Sequence, residues 1–234
     1  MEIEVAVAKV SKWGHRESGD TLEMIERPHG GHSFVLVDGQ SAGRAAKAVS
    51  NLVARKAISE LAEGVRDGAA ARAAHDYLYT HKDGKVSATL NILSVDLVSG
   101  TLVLSRNSHC PVVVVTSDGG LRLLDEPAEP VGVRRGTKPR ITELPLAAGT
   151  IVVIYTDGLD MAGARSSRVF DVPAAVRELT VGGGASAQQI ADHLLERAIA
   201  LDEGRPHDDI SVLVLRVLER TGDSVRRLVL RLPV

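Results

Sequence analysis

The sequence is poor in the residues on which several classes of protein depend. It has one cysteine, Cys110, in 234 residues, which excludes an internal disulfide and a zinc site built on cysteines. A single thiol is typical of a reducing compartment, so we expect a cytoplasmic protein. Aromatic residues make up only 3% and the formal net charge is −2. The sequence therefore offers few aromatic side chains for stacking on bases and no excess of positive charge for binding phosphates, which disfavours a nucleic-acid-binding protein.

Long apolar runs and a leader-like beginning are also missing. No run approaches the ~20 apolar residues that a bilayer-spanning helix needs. Residues 1–14 alternate charged and apolar side chains, whereas a signal peptide has a basic head followed by an apolar stretch. Hydrophobic residues make up 44% and charged residues 25%, as in ordinary globular proteins. We therefore predict a protein without membrane contact, in which residues 1–234 form one domain.

The spacing of the apolar residues predicts strands and helices in separate groups. Period-two alternation indicates a first strand through Ile3, Val5 and Val7, and period-3.6 spacing indicates long amphipathic helices. The further predicted strands cover 21–26, 33–37, 88–96, 101–107, 112–116, 121–124, 141–146, 151–156, 210–218 and 225–232. The predicted helices cover 41–63 and 68–80, and a third begins at Ser186 with a capping box to Gln189. Strands in antiparallel runs with grouped helices favour an α+β fold, with two sheets between helix layers.

Carboxylates recur where apolar strands begin or end. Asp38 and Asp157 each follow a strand and precede a glycine, and Asp20 and Asp208 each stand just before a strand. Because strands of one sheet place their ends on one edge, we expect these acids to gather, where repulsion raises their pKa unless a cation neutralises them. Oxygen ligands suit Mg²⁺ or Mn²⁺. Two such cations ~3.5–4 Å apart can activate a water for attack on phosphorus.

Simpler interpretations exist for several of these residues. An Asp-Gly pair is also a common turn dipeptide, and we expect Asp83 and Asp118 to be turn residues of this kind. Cys110 adjoins His109, which suggests a thiol nucleophile. Adjacent strand residues point to opposite faces, however, so the two side chains are not expected to pair.

Four segments follow one another in an order that is more specific than any one of them. They are Ser-Gly-Asp at 18–20, Asp-Gly-Gln-Ser-Ala-Gly-Arg-Ala-Ala at 38–46, Tyr-Thr-Asp-Gly-Leu at 155–159 and Asp-Asp-Ile-Ser-Val-Leu-Val at 208–214. In this order they resemble the metal-dependent protein phosphatase family (PPM, type 2C-like). Within it the chain is similar to the bacterial SpoIIE-like branch and its short, RsbX-like members. Residues 107–111 and 145–157 resemble two further segments of that branch.

The resemblance implies a four-layer αββα sandwich and a two-metal enzyme that hydrolyses phosphoserine or phosphothreonine. By position, Asp38 would bridge two divalent cations, Mn²⁺ or Mg²⁺, and the Gly39 carbonyl would bind one of them. Asp157 and Asp208 would bind the other cation, and Asp20 would act through a metal-bound water. Asp38, Asp157 and Asp208 are thus the implied catalytic residues. A water between the metals would attack the phosphoryl group.

Two further residues have a possible role beside the metals. Arg16 lies four residues before Asp20, as a phosphate-binding arginine does in some relatives, and its planar fork can bond two phosphate oxygens. An exposed arginine at a strand edge is the simpler interpretation. His207 precedes Asp208 and could act as a general acid for the leaving serine, although such a histidine often only caps a loop.

The chain departs from the branch pattern at two places, which leaves alternatives open. Residues 40–42 lack the histidine common after the metal aspartate, and a Gly-His pair is replaced by His109-Cys110. In short members, typical substrates are phosphorylated STAS-domain proteins of stress or sigma-factor partner switches. The alternatives are a weak or inactive phosphatase fold that binds a partner protein, or a two-metal phosphoesterase acting on small molecules.

Overall fold

A computed structural model gives the structure of the protein and describes residues 1–182 and 184–231. The helices are α1 (Gly43–Ala62), α2 (Asp67–His81), α3 (Asp157–Asp160), α4 (Val172–Thr180) and α5 (Ala187–Leu201). The strands are β1 (Glu2–Val10), β2 (Thr21–Glu26), β3 (His32–Gly39), β4 (Ala88–Asp96), β5 (Thr101–Asn107), β6 (Val112–Val115), β7 (Leu121–Leu124), β8 (Arg140–Pro145), β9 (Ile151–Tyr155) and β10 (Ile210–Leu218). None of the described helices has the length and apolar character that crossing a membrane requires.

The strands form two antiparallel sheets of five strands each. The first sheet has the order β1-β10-β9-β6-β7 and the second has the order β2-β3-β4-β5-β8. The first sheet therefore joins the first and the last of the described strands, since β1 pairs along its whole length with β10. The second sheet begins with a hairpin in which Thr21 faces Val37, so β2 begins where β3 ends.

Three apolar cores hold the layers together. The two sheets pack face to face, and α1 and α2 cover the outer face of the second sheet while α4 and α5 cover that of the first. The core between the sheets includes Phe34, Leu93, Val114, Ile154 and Leu213. The outer cores include Val35, Val53, Leu78 and Leu90 on one side and Val113, Tyr155, Ile190 and Leu194 on the other. This arrangement confirms the predicted α+β fold and the four-layer αββα sandwich.

The position of a strand in the sandwich explains its sequence pattern. Eight of the nine residues of β4 are buried, because this central strand has a helix layer on one face and the other sheet on the opposite face. The edge strand β8 keeps a single buried residue, Leu144. Central strands therefore read as continuous apolar runs and edge strands as mixed ones.

The predicted capping box at the start of α5 is confirmed. The Ser186 hydroxyl accepts a hydrogen bond from the Gln189 N–H at 3.1 Å, and the Gln189 side chain accepts one from the Ser186 N–H at 2.8 Å. Two donors that an α-helix leaves without partners at its start are thereby satisfied.

The predicted strand at 225–232 is wrong for the residues that the structure describes there, and Leu232 lies outside them. Residues 225–231 form no strand, and Val225 and Leu228 are 60% and 77% exposed. The alternation of apolar residues is present, but residues 225–231 pair with none of the edge strands β1, β7, β2 and β8, so their apolar side chains stay exposed. Arg226 and Arg227 form ion pairs with Glu26 and Asp223.

Two helices were missed by the sequence analysis. The short helix α3 begins at Asp157, directly after β9. The helix α4 has nine residues and is capped by Asp171, whose side chain accepts a hydrogen bond from the Ala174 N–H at 2.9 Å. Both helices are shorter than the window over which a 3.6-residue period becomes clear.

Candidate active site

The predicted site acids lie together at one end of the sandwich. Asp38 ends β3 and Asp20 stands just before β2, in the second sheet. Asp157 follows β9 and Asp208 stands two residues before β10, in the first sheet. The expectation that the strands of one sheet would gather these acids is therefore wrong, because each sheet contributes two of them. The cluster forms where the ends of the two sheets face each other.

Asp38 lies at the centre of this cluster. Burial, and after it the negative charges of the acidic neighbours, together raise the pKa of Asp38 to about 9. These neighbours, in decreasing order of effect, are Asp20, Asp157, Asp208 and Asp209. Without a cation, the cluster therefore favours a proton on Asp38 at neutral pH.

Asp20 is fully buried and is held by side chains of the opposite sheet. Its Oδ2 accepts hydrogen bonds from the Ser211 hydroxyl at 2.6 Å and from the Thr156 hydroxyl at 3.0 Å. Burial raises the pKa of Asp20 and these two hydrogen bonds partly offset the effect, so the pKa is about 6. Its Oδ1 is buried and has no hydrogen-bond partner within the described residues, so this oxygen can accept a ligand.

Two lysines bind the main chain at Asp20, and sequence reasoning missed both. The ammonium groups of Lys9 on β1 and Lys47 on α1 donate to the Asp20 carbonyl oxygen at 2.6 and 2.7 Å. Burial and the neighbouring Lys47 lower the pKa of Lys9 to about 8. The two lysines place positive charge next to the acids. Because they share one acceptor, they also connect α1, which covers the second sheet, with β1 of the first sheet.

Asp157 faces a histidine of the turn after β5. The Nε2 of His109 lies 3.6 Å from Asp157 Oδ2. Burial raises the pKa of Asp157, Asp208 raises it further, and His109 opposes the shift. Cys110, next to His109, is buried, and burial raises the pKa of its thiol above the usual range. A thiolate nucleophile is therefore disfavoured here.

The glycines that follow two of the acids are required by close packing. A Cβ on Gly39 would lie 2.2 Å from the Ala46 carbonyl oxygen in α1. A Cβ on Gly158 would lie 2.1 Å from the Asp209 carbonyl oxygen. The glycines let α1 and the segment before β10 approach the acidic end of the sandwich.

The adjacent residues Asp208 and Asp209 have different environments. The Asp208 side chain is 48% exposed and its Oδ1 lies 4.0 Å from Lys12 Nζ. Asp209 is buried, and its two carboxylate oxygens accept hydrogen bonds from the Lys12 N–H at 2.9 Å and the Gly19 N–H at 2.8 Å. Asp208 is thus available to a ligand, whereas Asp209 fixes the loop between β1 and β2.

Arg16 and His207 stand near Asp20 and Asp208 in the sequence. Arg16 is exposed in the loop between β1 and β2, so its phosphate-binding role stays a prediction. His207 is partly buried, and its Nδ1 lies 2.9 Å from Asp202 Oδ1. Burial opposes ionisation of Asp202, but hydrogen bonds from Gly163 and His207 lower its pKa. An ionised Asp202 can orient the His207 ring.

The chemistry of the cluster fits a hard divalent cation. Its side-chain donors are carboxylate oxygens, one of them is buried without a partner, and Asp38 resists ionisation in the absence of added positive charge. Within the described residues, no three ligating side chains close around one point. Such an open arrangement suits Mg²⁺, which usually keeps several waters beside one or two carboxylates.

The fold is that of type 2C phosphatase domains. It matches the PP2C phosphatase domain, with a fragment of the regulatory domain, of SpoIIE from Bacillus subtilis (TM-score 0.79, 22% identity, 93% of this chain and 64% of that chain). It also matches the catalytic domain of the serine/threonine phosphatase PstP in complex with two manganese ions (TM-score 0.68, 17% identity, 93% and 99%). RsbX in complex with magnesium has a TM-score of 0.66 at 17% identity (92% and 95%).

The chain belongs to the SpoIIE family, because the family model "Stage II sporulation protein E (SpoIIE)" matches residues 28–218. This confirms the predicted SpoIIE-like branch. Stage II sporulation protein E of Priestia megaterium is 21% identical over 221 residues, which cover 94% of this chain and 37% of that protein. The chain thus spans little more than a third of that relative's length. The family match begins after Arg16 and Asp20, whose assignment depends on the structure and on the motif order.

Proposed function

We propose that the protein is a metal-dependent protein serine/threonine phosphatase. The observation that carries this proposal is the convergence of carboxylates from both sheets on Asp38, whose pKa rises to about 9. An acidic cluster of this kind needs positive charge to ionise fully at neutral pH. Membership of the SpoIIE family and the type 2C phosphatase fold support the same activity.

The proposal assigns two divalent cations, Mn²⁺ or Mg²⁺, to the cluster. Asp38 and the Gly39 carbonyl would hold one cation, and Asp38, Asp157 and Asp208 the other. Asp20, held by side chains of the opposite sheet, would act on a cation through a bound water. When bound, the cations supply a nucleophilic water at neutral pH and polarise the phosphoryl oxygens. The metal ions in the PstP and RsbX structures support this assignment.

Two further residues would bind the phosphoryl group and handle the proton. Arg16 would bond two phosphate oxygens with its guanidinium fork. His207, oriented through Nδ1 by Asp202, would hold a proton on Nε2 for the oxygen of the departing serine or threonine. The ammonium groups of Lys9 and Lys47, held by the Asp20 carbonyl oxygen, would remain in place and partly balance the acids.

We propose a phosphorylated regulatory protein as the substrate, with a STAS-domain protein of a cytoplasmic partner switch as the particular candidate. Two of the acids are accessible to a loop of another protein, since the side chains of Asp157 and Asp208 are 34% and 48% exposed. A shallow depression on α4 and α5, lined by residues such as Leu179, Gln189 and His193, contains none of the site acids. The exposure of Asp157 and Asp208 therefore supports a protein substrate rather than a small molecule in a closed pocket.

The first test is hydrolysis of p-nitrophenyl phosphate while Mn²⁺ is titrated. The wild-type protein should show metal-dependent turnover, and Asp38→Asn should lower it by at least about 100-fold, because it removes the central charged ligand. Asp118→Asn is the matched control, since Asp118 lies in the exposed turn between β6 and β7. Turnover retained by a folded Asp38→Asn protein contradicts the site. Absence of turnover with any metal, and with a phosphoprotein, favours the inactive binding scaffold.

A further inference from the structure

The loop between β1 and β2 and the loop before β10 are joined beside the candidate active site. The Trp13 N–H donates to the Pro206 carbonyl oxygen at 2.8 Å. The Arg205 guanidinium lies 5.6 Å from the centre of the Trp13 ring, a distance at which a cation is attracted to the face of an indole. Together Trp13 and Arg205 form a surface that we call the Trp–Arg platform.

The platform is exposed although it contains the largest apolar side chain of the sequence. Trp13 is the single tryptophan of the chain, and it is 63% exposed. Its ring therefore contributes little to the core, and the loop position is fixed instead by main-chain hydrogen bonds. Exposed tryptophan and arginine side chains are the types that most often anchor a partner protein.

The surroundings of the platform are positively charged, in contrast to the chain as a whole. Lys12 and Arg16 belong to the loop that carries Trp13, and Arg44 at the start of α1 pairs with Glu17 of this loop at 3.8 Å. With Arg205 these are four cations, against two acids that belong or bond to the loop and are not proposed metal ligands, Glu17 and Asp209. Asp202 and Glu203, just before Arg205, pair with His207 and Arg168, and the chain as a whole has a formal net charge of −2.

The platform is also close to the site acids. Lys12 Nζ lies 4.0 Å from Asp208 Oδ1, and the main chain of the same lysine donates to Asp209 at 2.9 Å. At the other end of the loop, His15 lies against Gly43 at the start of α1, where an added Cβ would be 2.9 Å from His15 Nδ1. Residues a few positions from a bound phosphoserine would therefore reach the platform.

We propose that the Trp–Arg platform determines substrate specificity by binding acidic residues that flank the phosphorylated residue, an inference that rests on the proposed phosphatase function. The Arg205 guanidinium, stacked on the ring, keeps its nitrogen edge free to bond a carboxylate with two hydrogen bonds. The remaining surface of Trp13 packs against an apolar side chain of the partner. The platform thus selects an acidic segment over a basic one.

Binding can be measured without turnover, because Trp13 is the only tryptophan. Two phosphoserine peptides, one with Asp and Glu on both sides and one with Lys at the same positions, would be titrated into Asp38→Asn while the emission of Trp13 is recorded. The acidic peptide should shift the emission and bind at least about 10-fold more tightly. Equal affinity for the two peptides, or binding without a change in emission, overturns the proposal.

A charge reversal gives an independent readout. Arg205→Glu should raise the KM of the acidic phosphopeptide at least about 5-fold and lower that of the basic peptide, with the main effect on KM rather than on kcat. The control Arg122→Glu makes the same change on the exposed strand β7, at the far edge of the first sheet, and should not alter the preference. An unchanged preference in Arg205→Glu contradicts the platform's role. If the peptides discriminate in fluorescence but wild type hydrolyses nothing, the phosphatase proposal fails and the acidic-segment surface stands.

Discussion

At the scale of single residues, Gly39 and Gly158 show how packing and chemistry meet in this protein. Each glycine follows a proposed metal ligand, and each places its α-carbon against a carbonyl oxygen of another segment. The turns at Asp83 and Asp118 contain the same Asp-Gly dipeptide. In the second of these turns, an added Cβ on Gly119 would meet no atom within 4 Å. The sequence alone does not distinguish these two uses of a glycine.

Gly158→Ala should destabilise the fold. The added methyl group would lie 2.1 Å from the Asp209 carbonyl oxygen, so the segment before β10 must move, at a cost of about 1–3 kcal/mol. Urea unfolding measures the change in the free energy of unfolding. Gly222→Ala, with no atom near its added Cβ, is the control and should change stability by less than about 0.5 kcal/mol. Equal stability of the two variants would contradict the prediction and show that the segment before β10 moves away from the added methyl group at little cost.

The acidic cluster predicts an inverse dependence of stability on pH in the metal-free protein. The folded-state pKa of Asp38 is about 9, against about 3.9 in an unfolded chain. The folded state therefore holds a proton that the unfolded state has released, so the free energy of unfolding falls as pH rises between about 4 and 9.

Asp38→Asn removes that ionisation, so its stability advantage over wild type should grow with pH. Thermal unfolding in EDTA at pH 5, 6.5 and 8 measures it, at about 2–4 °C of Tm for each kcal/mol in a chain of this size. Asp118 behaves oppositely, because hydrogen bonds from Thr116 and Gly120 lower its pKa. Asp118→Asn should therefore gain no stability over wild type as pH rises. A difference in Tm between Asp38→Asn and wild type that does not change with pH would argue against a raised pKa of Asp38.

At the scale of secondary-structure elements, the start of α5 offers a local test. Ser186→Ala removes the hydroxyl that accepts from the Gln189 N–H and should cost about 1 kcal/mol, or about 2–4 °C in Tm. Activity should be unaffected, since α5 covers the outer face of the first sheet. The control Gln188→Ala removes only an exposed contact to Asp192. A loss in the control equal to that in Ser186→Ala would mean that the cap is unimportant.

Five strands were predicted with the bounds that the structure shows, in central and edge positions alike. The ranges 21–26, 88–96, 101–107, 121–124 and 210–218 agree with β2, β4, β5, β7 and β10 to the residue. The prediction for 225–232 failed because alternation of apolar residues shows only that a segment could form a strand, whereas a strand forms when the segment also pairs with a neighbour, and residues 225–231 pair with neither sheet. The helix α4 escaped because nine residues contain too few turns to show a period.

The candidate site was predictable only in its acids. Asp20, Asp38, Asp157 and Asp208 were found because each stands at the end of a strand, a local feature of the sequence. The residues that hold Asp20 were missed, since Thr156 and Ser211 lie 136 and 191 positions away along the chain. No local pattern marks a serine or threonine as a partner at that separation. The metal-binding roles themselves stay predictions until turnover and metal binding are measured.

At the scale of the whole molecule, the two sheets depend on each other at the site. The second sheet supplies Asp20, and the first sheet supplies the hydroxyl groups that hold it. Residues 11–19 are tied to the start of β10 through Asp209. The site therefore forms only when both sheets and both loops are in place, which agrees with, but does not test, the prediction that residues 1–234 are one domain.

The pairing of β1 with β10 places the two ends of the sandwich side by side, since Glu2 lies opposite Leu218 in the first sheet. A short linker from residue 218 to residue 2 should therefore close the chain, and a new start and end can be opened in the exposed turn at Val98 and Ser99 between β4 and β5. Such turns tolerate cutting because few contacts cross them. We expect this circular permutant to fold with the same two-sheet order and the same metal-dependent turnover as the parent, measured by circular dichroism and p-nitrophenyl phosphate hydrolysis. A permutant that stays unfolded would mean that the fold depends on the order in which its strands are made, and not only on where they lie.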